Sequence, residues 1–144
     1  MDWVGRQVEV VVEVPRGSFT KWRSDGTLDF LSPAPAPLNY GSVPGELGGD
    51  GDPLDAMVFG ARLPSGSRVS GVVVGVVHFI DRDRVDDKLL VVPPGVRVGN
   101  TSLVRVRTFF EVYVWVKRLL AVMRRKPGRT RLAGIVWAPV GQSR

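Results

Sequence analysis

The sequence predicts a mainly β fold with one flanking helix, and three observations predict it. Valine, glycine and proline are abundant, whereas the better helix formers alanine and glutamate are sparse. Short runs of β-branched residues recur between glycine and proline breaks. Only one stretch, Ser102 to Arg125, carries apolar residues at helical spacing over a length that strands rarely reach. At 144 residues the chain reads as one domain, residues 1–144, large enough to bury a core without disulfides.

Gln7 to Val14 alternates valine with other residues and reads as a strand, stopped by Pro15 and Gly17. Lys21 to Phe30 fits a short hairpin turning at Asp25-Gly26. Ser32 to Pro37 has three prolines in six residues, so it reads as stiff and extended. Asn39 to Pro53, rich in glycine, reads as loop. Leu54 to Phe59 and Arg68 to Ile80 read as strands, the second bent or bulged near Gly71 or Gly75, as barrel corners require. Asp81 to Asp87 is a charged turn, and Lys88 to Val92 is a strand ending at Pro93-Pro94. In Ser102 to Arg125, Val106, Phe109, Phe110, Tyr113, Val116 and Leu120 follow helical spacing, while Val112, Val114 and Val116 alternate as a strand would. Length and the helix-favouring end, Lys117 to Arg125 with Gly128 just beyond, decide for helix. A last strand spans Arg131 to Val136.

Composition narrows the chemistry. Cysteine is absent and His78 is the single histidine, so thiolate and imidazole-rich metal sites are excluded. A metal must therefore sit on oxygen ligands, which points to Mg2+, Mn2+ or Ca2+. The net charge of +6 suits an anionic partner, either a phosphate compound or nucleic acid. Much of the excess lies in Lys117, Arg118, Arg124, Arg125, Lys126, Arg129 and Arg131, which is equally the pattern of a solvated basic surface. Met1 to Val10 does not read as a signal peptide, and the longest apolar run, around Gly71 to Val77, is far short of a membrane span. A cytoplasmic protein with no membrane partner is expected.

Asp50-Gly51-Asp52-Pro53-Leu54-Asp55 is the most informative stretch. Three carboxylates in six residues repel one another unless water or a cation lies between them. Glycine permits a tight turn and proline stiffens it. An acidic surface turn shares this pattern. An EF-hand does not, because Pro53 and Leu54 break the ligand spacing and Ala61 stands where the bidentate Glu belongs. A second acidic group, Asp81, Asp83, Asp86 and Asp87, precedes Lys88. Alone it is an ordinary hairpin tip. Two such groups converging on one cleft beside basic residues would make a site for metal-bound phosphate.

The order Glu13-Val14-Pro15, Lys21, Asn39-Tyr40-Gly41, Asp50 to Asp55, then Asp81 to Lys88 resembles the soluble (family I) inorganic pyrophosphatases. The Asp-Gly-Asp-Pro-x-Asp core with Asn-Tyr-Gly shortly before it is close to a signature of that family. The likeness runs roughly from Val8 to Tyr113. It implies a five-stranded OB-like closed β-barrel with the site in its mouth and a helix alongside. It implies hydrolysis of pyrophosphate with Mg2+ (or Mn2+) as cofactor and a homo-oligomeric assembly. By the same resemblance Asp50, Asp55 and Asp86 would hold activating metals, and Asp81 with Asp86 a substrate-side metal. Asp52 would be the general base, Glu13 a support of the metal shell through water, and Lys21, Tyr40, Lys88 and Tyr113 the grip on phosphate.

The chain departs from the family pattern at several of these places. Lys21-Trp22-Arg23 stands where Lys-Tyr-Glu is usual, and the segment around Phe30 lacks the expected arginine. Ala36 replaces a tyrosine, and Tyr113-Val114 replaces a Tyr-Lys pair. Arg23 and Lys117 are the candidate replacements, each supplying a cation to phosphate. The alternative is a catalytically weakened relative that binds anions or nucleic acid, using the barrel and the basic residues. No alternating aromatic and basic strand face suited to base stacking supports it. Tyr40 and Tyr113 are otherwise ordinary half-buried aromatics, Lys21 and Lys88 ordinary strand-edge charges. Glu13 lies on the face of its strand opposite Val8, Val10, Val12 and Val14, and His78 is assigned no role.

Overall fold

Alternation in the first strand decides which way the sheet closes. The structure, a computed structural model, describes residues 3–22, 28–31, 35–49, 51–124 and 130–137. In β1 (Gln7–Val14), Val8, Val10, Val12 and Val14 are all buried. The strand pairs on one edge with β4 (Asn39–Leu47) and on the other with the start of β6 (Arg68–Asp81). β4 continues to β5 (Pro53–Val58), β5 pairs in parallel with β8 (Lys88–Val92), and β8 returns to β6. The circuit β1-β4-β5-β8-β6-β1 is a closed barrel, as expected. A small hairpin, β2 (Thr20–Trp22) with β3 (Leu28–Leu31), lies off it, and its expected turn falls outside the described residues.

The 14-residue β6 carries more than its share of the circuit. It pairs at its far end with the short β7 (Arg84–Val85) and along Gly75 to Ile80 with β9 (Arg131–Trp137). Its register against β8 shifts between Val73 and Gly75, the bulge expected near the second glycine. The shift changes which side chains face inward. Val73 and Val76 join the barrel interior with Val10, Ala56, Val58, Leu89 and Val91, while Val74, Val77 and Phe79 face out. Gly75 has to be glycine, since a Cβ there would lie 2.4 Å from the Val136 carbonyl oxygen.

The outer face is covered by α1 (Asn100–Arg124), which buries Val106, Phe110 and Val114 against Met57, Phe59, Val77, Phe79 and Leu90. Each such side chain contributes about 1.5–3 kcal/mol. Burial also decides the helix-or-strand question. Val114 is buried and Val112 exposed, although a strand would put both on one face. Leu120, expected in the buried stripe, is exposed.

The expected loop from Asn39 to Pro53 is a correction. Residues 39–47 form β4, and the glycines and proline that argued against a strand have specific places in it. A Cβ at Gly41 would lie 1.9 Å from the Val11 carbonyl oxygen, so only glycine lets β1 approach. Pro44 lies beyond Ser42, where regular pairing to both neighbours has ended, so its missing N–H breaks no ladder bond.

Candidate active site

Strand parity carries the acids to one side. Asp55 shares its face with Met57, and Lys88 shares its face with Leu90, so both look outward toward α1 rather than into the barrel. The parallel register sets Asp55 directly beside Lys88. Asp81 ends β6, and a tight turn follows in which Arg82 and Asp83 adopt φ of 49° and 65°. The Asp86 amide then donates to the Phe79 carbonyl at 2.8 Å, bringing Asp86 back over the strand. Glu13 arrives by a bulge. Val12 pairs with Gly41 and Val14 with Tyr40, so Glu13 is the extra residue, re-aimed toward the cleft.

Together Glu13, Asp52, Asp55, Asp81 and Asp86 line one cleft of about 610 Å³, with Tyr40, Lys88 and Tyr113 among them. The buried Lys88 ammonium sits 2.9 Å from Asp55 Oδ2 and 2.9 Å from Asp86 Oδ1, above the rings of Tyr40 and Phe79. Lys117 Nζ lies 3.1 Å from Asp81 Oδ2 and 5.4 Å from the Tyr113 ring centre. Burial, then the charges of Asp55 and Asp86 and a hydrogen bond to Asp55, hold the Tyr40 phenol well above its ordinary pKa. Burial and then Asp81, Asp86 and Asp55 push Tyr113 up as well. Both phenols are therefore proton donors throughout the neutral range.

A bowl of carboxylates with protonated donors on its wall is suited to a cation and a polyanion together. The chain matches the family model described as inorganic pyrophosphatase over residues 10–121. It belongs to the inorganic pyrophosphatase family. It is 37% identical over 135 residues to the inorganic pyrophosphatase of Helicobacter pylori, covering 75% of this chain and 78% of that one. To the Haemophilus influenzae inorganic pyrophosphatase it is 38% identical over 102 residues, 65% of this chain but only 58% of that protein's length. The inorganic pyrophosphatase structure from Thermus thermophilus superposes with a TM-score of 0.75 at 28% identity, covering 96% of this chain and 86% of that one.

Within this pyrophosphatase fold, the expected residues divide into three groups. Glu13, Tyr40, Asp52, Asp55, Asp81, Asp86, Lys88 and Tyr113 are brought together in the cleft. Lys117 reaches its edge through Asp81. Asp50 and Arg23 lie outside the described residues, as does the side chain of Lys21, whose backbone pairs with Phe30 in the small hairpin. Of the Asn-Tyr-Gly signature only the tyrosine faces the cleft. Asn39 is fully buried and accepts from the Arg16 and Leu63 amides while donating to the Ala61 carbonyl, a joint between loops. Val114, where the family has lysine, packs in the core beneath α1, and Ala36 lines the cleft where a tyrosine is usual.

Three polar groups were missed. His78 is half exposed and holds Asp87 Oδ2 at 3.1 Å, while Asp87 Oδ1 accepts from the Phe79 amide. Ser42 lines the cleft. Thr130, buried, donates to Asp81 Oδ1 at 3.1 Å. None carried a sequence signal, since each owes its place to strand register.

The residues present fit a hard divalent ion by donor type: all are carboxylates, and two lysine ammoniums already lie against them. Among the described residues no group of three is already closed to ligating distance.

Proposed function

We propose that this protein hydrolyses inorganic pyrophosphate to two phosphates, with Mg2+, or Mn2+ in its place, held by Asp50, Asp55, Asp81 and Asp86 and supported by Glu13. The observation that carries this reading is the convergence of five acidic side chains from separate segments on one cleft, beside two phenols and a buried lysine. Family membership supports it, and the relatives are themselves named inorganic pyrophosphatases.

Bound there, the divalent ions supply charge neutralisation for the polyanion and lower the pKa of water. Asp52, exposed at the cleft rim, takes the proton of the attacking water as its oxygen bonds to one phosphorus. The bridging P–O bond breaks and its electron pair leaves with the second phosphate. Tyr40 and Tyr113, kept protonated by their surroundings, donate to phosphate oxygens as charge builds on the leaving group. Lys88 and Lys117 turn from carboxylate to phosphate, and Lys21 and Arg23 are proposed as further cations for it.

Phosphate release from pyrophosphate, measured with Mg2+ beside Asp52→Asn, tests the proposal. The native chain should turn over, and the variant should lose about 10²–10⁴-fold while still binding Mg2+. No release by the native chain with either metal would overturn it. Salt-sensitive binding of single-stranded DNA without turnover would favour the weakened, anion-binding relative instead.

The protein is further proposed to be cytoplasmic and to self-associate. Among the described residues no helix is long and apolar enough to cross a membrane. Opposite its buried face α1 exposes Val104, Val112, Trp115, Leu119, Val122 and Met123, an apolar stripe facing away from the barrel. Glu111 and Arg118 border one edge of that stripe. An antiparallel pairing about Trp115 would set each copy's Glu111 against the other's Arg118, which favours a second copy as the occupant.

A further inference from the structure

Asp81 is held by more than the strand that carries it. β9 runs antiparallel to the end of β6, with Phe79 opposite Leu132 and Ile80 opposite Arg131. One step further along, Thr130 falls opposite Asp81. Its buried hydroxyl donates to Asp81 Oδ1 at 3.1 Å and accepts from the Arg82 amide at 3.4 Å. Its carbonyl in turn accepts from Arg118 Nε at 2.8 Å, tying it to α1. Lys117 occupies the second oxygen of Asp81. Both oxygens of a cleft carboxylate are thus engaged by the last part of the chain, far from the acidic motifs in sequence.

We infer that Thr130 is a positioning residue, orienting Asp81 and pinning the left-handed turn at Arg82 and Asp83 that returns the chain to Asp86. The inference rests on the pyrophosphatase reading for its consequence, metal affinity. Only a hydroxyl serves here, because one atom must give a proton to a carboxylate and take one from an amide. Valine keeps the branched shape and loses both bonds. Serine keeps both and loses the methyl group. A carboxylate free to rotate is a poorer ligand, since the groups that orient metal ligands typically affect affinity by about 10–100-fold.

Two measurements on Thr130→Val and Thr130→Ser test this. In metal-free protein, amide exchange across residues 81–86 should quicken by about fivefold or more in the valine variant and stay within about twofold in the serine variant. By calorimetry, Mg2+ should bind about tenfold more weakly to the valine variant, with near-native binding restored by serine. Native exchange and native Mg2+ affinity in the valine variant would overturn the inference. Equal losses in both variants would also overturn it, since they would point to packing of the methyl group. Should the native chain bind no Mg2+, the pyrophosphatase reading fails, and the exchange measurement alone decides whether Thr130 holds the turn.

Discussion

Replacing Lys88 with methionine separates what the lysine does for the fold from what it does for the reaction. The ammonium is almost wholly buried and lies 2.9 Å from both Asp55 and Asp86. Methionine keeps most of the stem and removes the charge. Breaking a buried ion pair from one side costs about 3–5 kcal/mol, because the remaining charge is left without its partner. Here the stranded carboxylates keep 23% and 20% of their side-chain surface in contact with solvent. Water screens part of their repulsion, which brings the expected loss to about 2–3 kcal/mol. For a domain of this size that corresponds to a fall of about 10 °C in Tm, measured with EDTA present. Bound by Asp55 and Asp86 as proposed, Mg2+ should then close most of the gap, because it would supply the positive charge those acids lose with the ammonium and so stabilise the variant more than the native protein. Turnover should stay depressed by about 10²-fold even with saturating Mg2+, because a donor to phosphate is gone. If the variant melts with the native protein in EDTA, Lys88 is not the counter-ion of this pair. A gap that Mg2+ leaves unchanged would refute Asp55 and Asp86 as metal ligands.

The chain has two tyrosines, and both face the acids of the cleft. Their phenol pKa values are raised in the folded protein, so unfolded chains release these protons first as pH climbs. The stability tied to the neutral phenols is complete below the unfolded value near 10 and is lost as pH rises toward the folded values. Tyrosinate absorbance at 295 nm should therefore appear together with loss of β circular dichroism; a smooth titration near pH 10 with the fold intact would contradict the burial argument. Trp115 is 66% exposed, so Trp115→Glu should change the monomer's stability by no more than about 0.5 kcal/mol. It should also reduce the mass seen by sedimentation from a multiple of the chain to one copy, whereas a native protein that already sediments as one copy would remove the case for self-association.

How much of this was legible beforehand depended on whether the signal was local. The acids of residues 52–55 and 81–86 announced themselves, because like charges packed closely in sequence need something between them wherever the chain goes. The barrel strands β5, β6 and β8 were equally plain, being largely apolar runs, ended by glycine after β5, the charged turn after β6 and proline after β8. β4 was not, since Gly41, Pro44 and Gly45 look like loop until the neighbouring strand is in place. Glu13 showed the same dependence: its alternation put it opposite the core valines, and only the bulge against β4 brought it into the cleft.

The pairing of charges was the least legible feature, and for a physical reason. Composition states that lysines and aspartates are present, but which lysine meets which carboxylate is set by register between distant strands. Lys88 meets Asp55 because β5 and β8 run parallel with those two residues level. Lys117 and Thr130 meet Asp81 because α1 passes, and β9 begins, beside the same turn. The lysine absent at Val114 illustrates the point. A long cation at that position would have to leave the core beneath α1, whereas a cation at Lys117, about one turn further on, reaches the acids directly. A positive charge can therefore move along a helix and still serve the same cleft, provided the new position faces the same carboxylate. Substitution of Lys117 should accordingly free Asp81 Oδ2 and weaken the grip on phosphate together.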